Sequence, residues 1–451
     1  MPSVIRLIAP CFTCALLCLP LKAQEALVVG TTSLPDVSTI EGIDEDGRVE
    51  RPEMPSDIKN PEHWRYTPPG RIIDGNIFER FLISTFFSPL LFFEKDVGTG
   101  AGVAITDIDF RNQKYREFAG IVMSYTTEGQ QAYTVNWRRW LHHRELENGG
   151  IIREDRSILS GGLGFSKTLT RRFFGLGSRS PLSNETSYSH ALSNVGVGVR
   201  VTVPDPGDDV ILGAAINYQR NDLARGRVSS LFSTDDRFPD QFAAADDISQ
   251  LWLNWGIAYD TRDSLHQPYR GSRIGFSSQT AVLQSNGEFG GGLAVDSQKV
   301  FPLPPLFHKG GNGDEENPPT DVIVIGGVIA DTHGVLPFYD LPSLGGNTLR
   351  GYTPNRFTDR AAAYGTLEYR FGVISRGFKV THRIRVERIN LALFYDFGTV
   401  ANGLNELGDG EYLDSVGFGT RISFSREASF RIDYGISDEG SNLSIGFGNT
   451  L

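Results

Sequence analysis

The chain has 451 residues, a net charge of -11, and 51 glycines and 29 phenylalanines against only 3 methionines. The acidic balance, with no sustained Lys/Arg block, argues against a nucleic-acid partner. The composition favours a β-rich chain with many tight turns, and beyond residue 23 no stretch approaches the roughly 18 apolar residues of a membrane-spanning helix.

The first residues, MPSVIRLIAPCFTCALLCLPLKAQ, carry an early cation at Arg6, an apolar run and then Leu21-Lys22-Ala23. That is the order of a secretory signal, so cleavage is expected after Ala23 and residues 1–23 are assigned to it. Cys11, Cys14 and Cys18 leave with the signal, which removes disulfides, cysteine zinc sites and cysteine nucleophiles from consideration together. Residues 24–84 are turn-rich, with Pro35, Pro52, Pro55, Pro61, Pro68 and Pro69, and read as an irregular periplasmic leader.

From residue 85 to 451 period-two alternation takes over. In LWLNWGIAYDTR, Leu251, Leu253, Trp255, Ile257 and Tyr259 alternate with small or polar residues. The same split recurs in NVGVGVRVTV, GTLEYRF, SVGFGTRISF and FRIDYGI. A soluble sheet packs such an apolar face on another layer, whereas an outer-membrane barrel turns it to lipid and lines its lumen with the polar face. The export signal, the long strands and the lack of a convincing amphipathic helix favour lipid. The predicted fold class is therefore all-β: a transmembrane antiparallel β-barrel of about 16 strands.

The predicted strand cores are residues 85–94, 99–109, 117–126, 128–141, 150–167, 184–203, 208–221, 247–262, 269–283, 287–301, 320–332, 361–374, 388–400, 414–424, 428–436 and 442–451. Long connections fall at 168–182, 222–245 and 333–360, all on the outer face if the first strand starts at the periplasm. Residues 302–319, containing KGGNGDEENPP, form an unusually long periplasmic turn in this register.

Several motifs carry chemistry of interest. LPSLGGNTLRGY holds Gly345, Gly346, Arg350, Gly351 and Tyr352; YDTRDSLHQPYRG holds Asp260, Arg262 and Asp263; FYDFG centres on Asp396; and SVGFGTR follows it. Together, in this order, they resemble the BamA/TamA-type bacterial surface-antigen superfamily, over about Phe87 to the C-terminus. FFGLG at Phe173–Gly177 agrees with the resemblance. It implies a long loop that folds into the lumen, with Arg350 meeting Asp396. Alternation on strand 391–397 independently puts Asp396 on the inner face with Ala392 and Phe394, and a guanidinium can grip a carboxylate with two parallel hydrogen bonds. Glu368, on the inner face of the strand after the loop, is a second candidate partner. The plainer reading is a solvated Arg350 on an outer loop, and for Asp260, Arg262 and Asp263 an ordinary charged turn.

The resemblance implies localisation in the bacterial outer membrane, with lipid and client polypeptides as partners and the barrel assembly machinery serving the protein's own insertion. The implied function is assistance to protein insertion or translocation through a weakly closed seam between first and last strands, the last containing Gly446, Phe447 and Leu451. The alternative is a passive channel or structural surface antigen. The leader is too short for even one of the periplasmic polypeptide-transport-associated domains usual in such members, and Leu451 stands where such barrels usually end in an aromatic. No enzyme, cofactor or metal is expected: His142-His143 lacks HExxH spacing, GTGAG at Gly98–Gly102 is not followed by a helix, no GxSxG occurs, and DEEN at 314–317 reads as a hydrophilic turn.

Overall fold

In the computed structural model, residues 48, 51, 53–72, 85–94, 96–315, 317–379, 385–424 and 428–447 are described. The expected signal, residues 1–23, lies outside them, as do residues 24–47 of the leader and Leu451.

Sixteen antiparallel strands follow one another around the wall. They are β1 (Thr85–Glu94), β2 (Gly98–Asp107), β3 (Glu117–Thr126), β4 (Gln131–Trp140), β5 (Ile158–Phe173) and β6 (Thr186–Val203). Next come β7 (Val210–Arg225), β8 (Ile248–Asp260), β9 (Gly271–Gln284), β10 (Gly290–Leu303) and β11 (Asp321–Gly334). The circuit ends with β12 (Ala361–Ile374), β13 (Arg385–Ala401), β14 (Leu413–Phe424), β15 (Ala428–Ser437) and β16 (Gly440–Phe447). Each strand pairs with its chain neighbours, from β1–β2 to β15–β16. Among the described residues no ladder joins β1 to β16.

Alternation sets the two faces as the pleat requires. On β8 Leu253, Trp255, Ile257 and Tyr259 point outward and stay exposed, as do Val195, Val197 and Val199 on β6. The inner face carries small and charged residues. Strand length varies around the circuit: β6 has 18 residues, β1 10 and the described β16 only 8. A tilted crossing takes about 9–11 residues, a length that the 18 residues of β6 exceed.

Two expectations are corrected. Residues 150–167 are not one strand: Ile151–Glu154 leaves the barrel and joins Trp64–Thr67 and His143–Glu145 in a three-stranded rim sheet, before β5 begins at Ile158. Nor is the leader irregular at Trp64–Thr67, which pairs residue for residue with Glu154–Ile151. The region 226–247 also contains two short helices, Thr234–Arg237 and Pro239–Ala245.

Candidate functional site: an inserted loop and its wall

The connection between β11 and β12 turns back on itself. Ser343–Leu344 pairs with Phe357–Thr358, closing a tip between them. Gly345 and Gly346 take φ of 118° and 70°, the left-handed region where a side chain is strained, and the Gly346 N–H donates to the Tyr352 carbonyl at 2.9 Å. Leu344, Leu349, Tyr352 and Phe357 pack with Ala362, Tyr364, Val400 and Leu413 of the wall. This apolar anchor carries Arg350 inward.

Arg350 is fully buried. Its Nε and Nη2 donate to the two Asp396 carboxylate oxygens at 2.8 and 2.7 Å, and its backbone N–H adds a third bond at 3.1 Å. Nη1 donates to Glu368 at 2.6 Å and Nη2 to the Thr366 hydroxyl at 3.1 Å; that hydroxyl in turn donates to Asp396 at 2.7 Å. The guanidinium carbon lies 3.4 Å from the Phe394 ring centroid. The structure thus brings Arg350 together with both of its candidate partners. Charge-assisted, two-pronged bonds fix the orientation of the group as well as its position.

The pair belongs to a larger lattice. Arg370 and Arg421 also donate to Glu368, at 2.5 and 2.8 Å, while Asp433 receives Arg421 at 2.7 Å and Arg431 at 2.9 Å. Four guanidiniums therefore meet three carboxylates on the inner faces of β12–β15 and the loop. Sequence reasoning missed Thr366, Arg370, Arg421, Asp433 and Arg431. The available signal was their inward parity on consecutive strands: Asp396 opposes Thr366, and Arg421 opposes Arg431.

Close backbone approach completes the site. A Cβ on Gly435 would lie 2.4 Å from the Arg350 carbonyl carbon, and one on Gly351 would lie 2.7 Å from that of Ile436. The Ser437 hydroxyl donates to the Gly351 carbonyl at 3.2 Å, Tyr352 to Asp438 at 2.6 Å, and Arg356 grips Glu439 with two bonds of 2.6 Å. On β16 the Asn442 amide donates to the Arg350 carbonyl at 3.3 Å. Of the seam residues, Gly446 pairs with Arg431 and Phe447 with Phe430.

At the periplasmic end Asp260, Arg262 and Asp263 form a buried constellation rather than a solvated turn. Arg262 donates to both Asp260 oxygens at 2.9 and 2.7 Å and to Gln298 at 2.8 Å. Fully buried Arg156 donates to the carbonyls of Asp260 and Arg262, and Asp263 accepts the N–H groups of Tyr269 and Arg270, both at 3.1 Å. Gly271, with φ of 103°, allows the backbone to pass where a Cβ would come 2.5 Å from the Arg262 Cα. The leader packs against this end: His63 Nδ1 lies 2.5 Å from the Gly207 carbonyl, and Arg65 bonds Asp155 at 3.0 Å. Burial depresses the His63 pKa, which keeps the ring neutral.

Elsewhere His143 bonds the Lys114 carbonyl at 2.8 Å, and Glu315 of the DEEN turn is gripped by Arg376. Among the described residues no group of three or more His, Cys, Asp or Glu side chains is arranged to hold a metal ion.

The model of the Omp85 superfamily domain matches residues 151–451, two thirds of the chain. The protein belongs to the Omp85 superfamily. It is accordingly a bacterial outer-membrane β-barrel protein. BamA from Haemophilus ducreyi lacking POTRA domains 1–3 is 15% identical with a TM-score of 0.48, covering 80% of this chain and 68% of that one. CdiB from Acinetobacter baumannii is 11% identical with a TM-score of 0.46, covering 80% and 59%. CdiB from Escherichia coli is 8% identical with a TM-score of 0.50, covering 81% and 62%. At these identities the likeness concerns the fold. No curated protein matches the chain.

Proposed function

We propose that this Omp85 protein assists the insertion or translocation of polypeptides at the outer membrane, with the β1–β16 seam as the place where a client strand pairs. The observation that carries the reading is the missing ladder between β1 and β16 among the described residues, in a wall that is otherwise paired strand to strand. In hydrocarbon an unpaired edge leaves backbone N–H and C=O groups without partners, and such an edge is a template for an added strand.

In this reading the Arg350 lattice braces the C-terminal side of the seam. Lipid and client polypeptides are the partners, the assembly machinery inserts the protein itself, and no enzymatic step is involved. Two measurements test the proposal. In proteoliposomes the protein should speed the folding of an urea-unfolded outer-membrane barrel several-fold, and a disulfide engineered across β1 and β16 should abolish the gain. If folding is unaffected while planar bilayers carry a large current indifferent to Arg350→Ala, the protein is a passive channel and the reading fails.

A further inference from the structure

The turn between β10 and β11, residues 304–320, is long for the periplasmic end, and its position is informative. On β11 the outward row is Ile323, Ile325 and Ile329, the last two exposed. Asp321 has the same parity, so a carboxylate begins a lipid-facing row, yet it is fully buried. The turn is what covers it. The Leu306 N–H donates to Asp321 at 2.8 Å, the His308 ring Nε2 lies 3.0 Å away, the Tyr369 hydroxyl donates at 3.2 Å and the Gly372 N–H at 3.0 Å. Residues 305–308 therefore fold outward over the rim rather than beneath the lumen.

That outward fold displays two large apolar side chains, Leu306 at 60% and Phe307 at 68% exposure. The Phe307 ring sits 5.5 Å from Phe371, which stacks on Tyr369 at 5.4 Å, both in the outward row of β12. Phe301 lies outward on the neighbouring strand with the Lys299 ammonium 5.7 Å from its ring, and Lys309 follows the apolar pair. The second half of the turn is fixed from the other side: Arg376 donates two 2.8 Å bonds to Glu315, and Asn317 donates to Glu387 at 2.9 Å. The exposed pair is thus pre-ordered and continuous with the lipid-facing belt.

We infer that residues 305–309 form a membrane foot, in which Leu306 and Phe307 enter the periplasmic leaflet at the headgroup–acyl boundary while Lys299 and Lys309 meet glycerophospholipid phosphates. Aromatic and aliphatic side chains flanked by lysine suit that boundary, where ring and stem are buried and the cation stays wet. Buried Asp321 is the residue that positions the foot, and its partners place the turn whether or not the seam accepts clients.

From Gln24 onward the chain holds no cysteine, so single labels are direct. An environment-sensitive fluorophore on Phe307→Cys, in phosphatidylethanolamine–phosphatidylglycerol liposomes, should be quenched by lipids brominated high on the acyl chain. It should resemble a label on Ile325→Cys and be several-fold less accessible to aqueous iodide than one on Leu404→Cys in an outer loop. Iodide accessibility at 307 equal to that at 404 overturns the inference. If Phe307→Cys fails to fold, Leu306→Cys serves the same comparison. Asp321→Asn should move the label into water while the barrel keeps its heat-modifiable gel mobility; unchanged lipid quenching in that variant overturns the positioning role of Asp321.

Discussion

Replacing Asp396 by alanine removes the acceptor of four hydrogen bonds: three from Arg350 and one from Thr366. It also changes a buried balance of four guanidiniums against three carboxylates into four against two. Breaking a buried pair by deleting one partner costs about 3–5 kcal/mol, because the other charge is left desolvated. The loss here should lie at the lower end, about 3 kcal/mol, since Glu368 remains 2.6 Å from Arg350 and shares its charge. Arg350→Ala removes the two guanidinium bonds from the other side, leaves Asp396 with the backbone N–H of residue 350 and the Thr366 hydroxyl, and strands that carboxylate without its cation. The double variant removes both charges, so its loss should fall short of the sum by about 1–3 kcal/mol, the range of coupling between residues in one network. The assay is urea unfolding of the detergent-solubilised barrel, followed by tryptophan fluorescence and gel mobility, with trypsin cleavage in the loop as a local readout. Additivity within about 0.5 kcal/mol would refute the internal pair and return Arg350 to a solvated loop.

Two further outcomes follow from the same loop. Burial raises the Asp340 carboxyl to about 6, against a hydrogen bond of 2.8 Å from Gln250. A raised carboxyl favours the folded state while protonated, so this stabilisation is full below the ordinary value near 4 and is lost as pH rises through about 6. Protease protection of residues 335–360 should therefore fall by roughly 10- to 100-fold between pH 4.5 and 7.5, and Asp340→Asn should flatten that profile; a profile unchanged by the substitution would remove the carboxyl from the explanation. Gly435→Val, whose Cβ would press on the Arg350 backbone, should cost about 1–3 kcal/mol and release the loop to trypsin, where Gly213→Val on β7, whose Cβ would meet nothing closer than 3.9 Å, should leave the loop protected.

Legibility in the sequence tracks how local the determining physics is. Strand identity is written in parity alone, so the outward row of Leu253, Trp255, Ile257 and Tyr259 was readable without neighbours. Likewise Asp396 was readable as inward, because Leu391, Leu393 and Phe397 occupy the outer row. What stayed hidden depends on register between strands. Nothing local to Arg421 says that it faces Arg431 with Asp433 between them, and nothing in WRYT announces pairing with Ile151–Glu154, some 85 residues on. The run 150–167 misled for a related reason: apolar Ile151 and Ile152 fit a strand, and only the turn after Glu154, whose carboxylate accepts the N–H groups of Arg156 and Ser157 at 2.7 and 2.6 Å, separates it from β5. The charged turn at Asp260 looked ordinary because its decisive partner, Arg156, arrives from a different hairpin.

The placement of the loop contacts bears on how an edge strand survives in lipid. Among the described residues β16 has one ladder, to β15, so half of its backbone lacks the support that every inner strand receives from a second neighbour. The loop supplies part of the missing support from inside. Asn442 reaches the Arg350 carbonyl, while Ser437, Asp438 and Glu439, at the tip of the same hairpin, are each held by Gly351, Tyr352 or Arg356. Arg350 itself is fixed by β12 and β13, which lie four and three strands from the edge. The loop thereby links β16 to β12 and β13 through side-chain contacts that bypass the ladders of β14 and β15. On this geometry the C-terminal hairpin moves with the loop, and any opening of the seam that spares the Arg350 lattice must come from the β1 side.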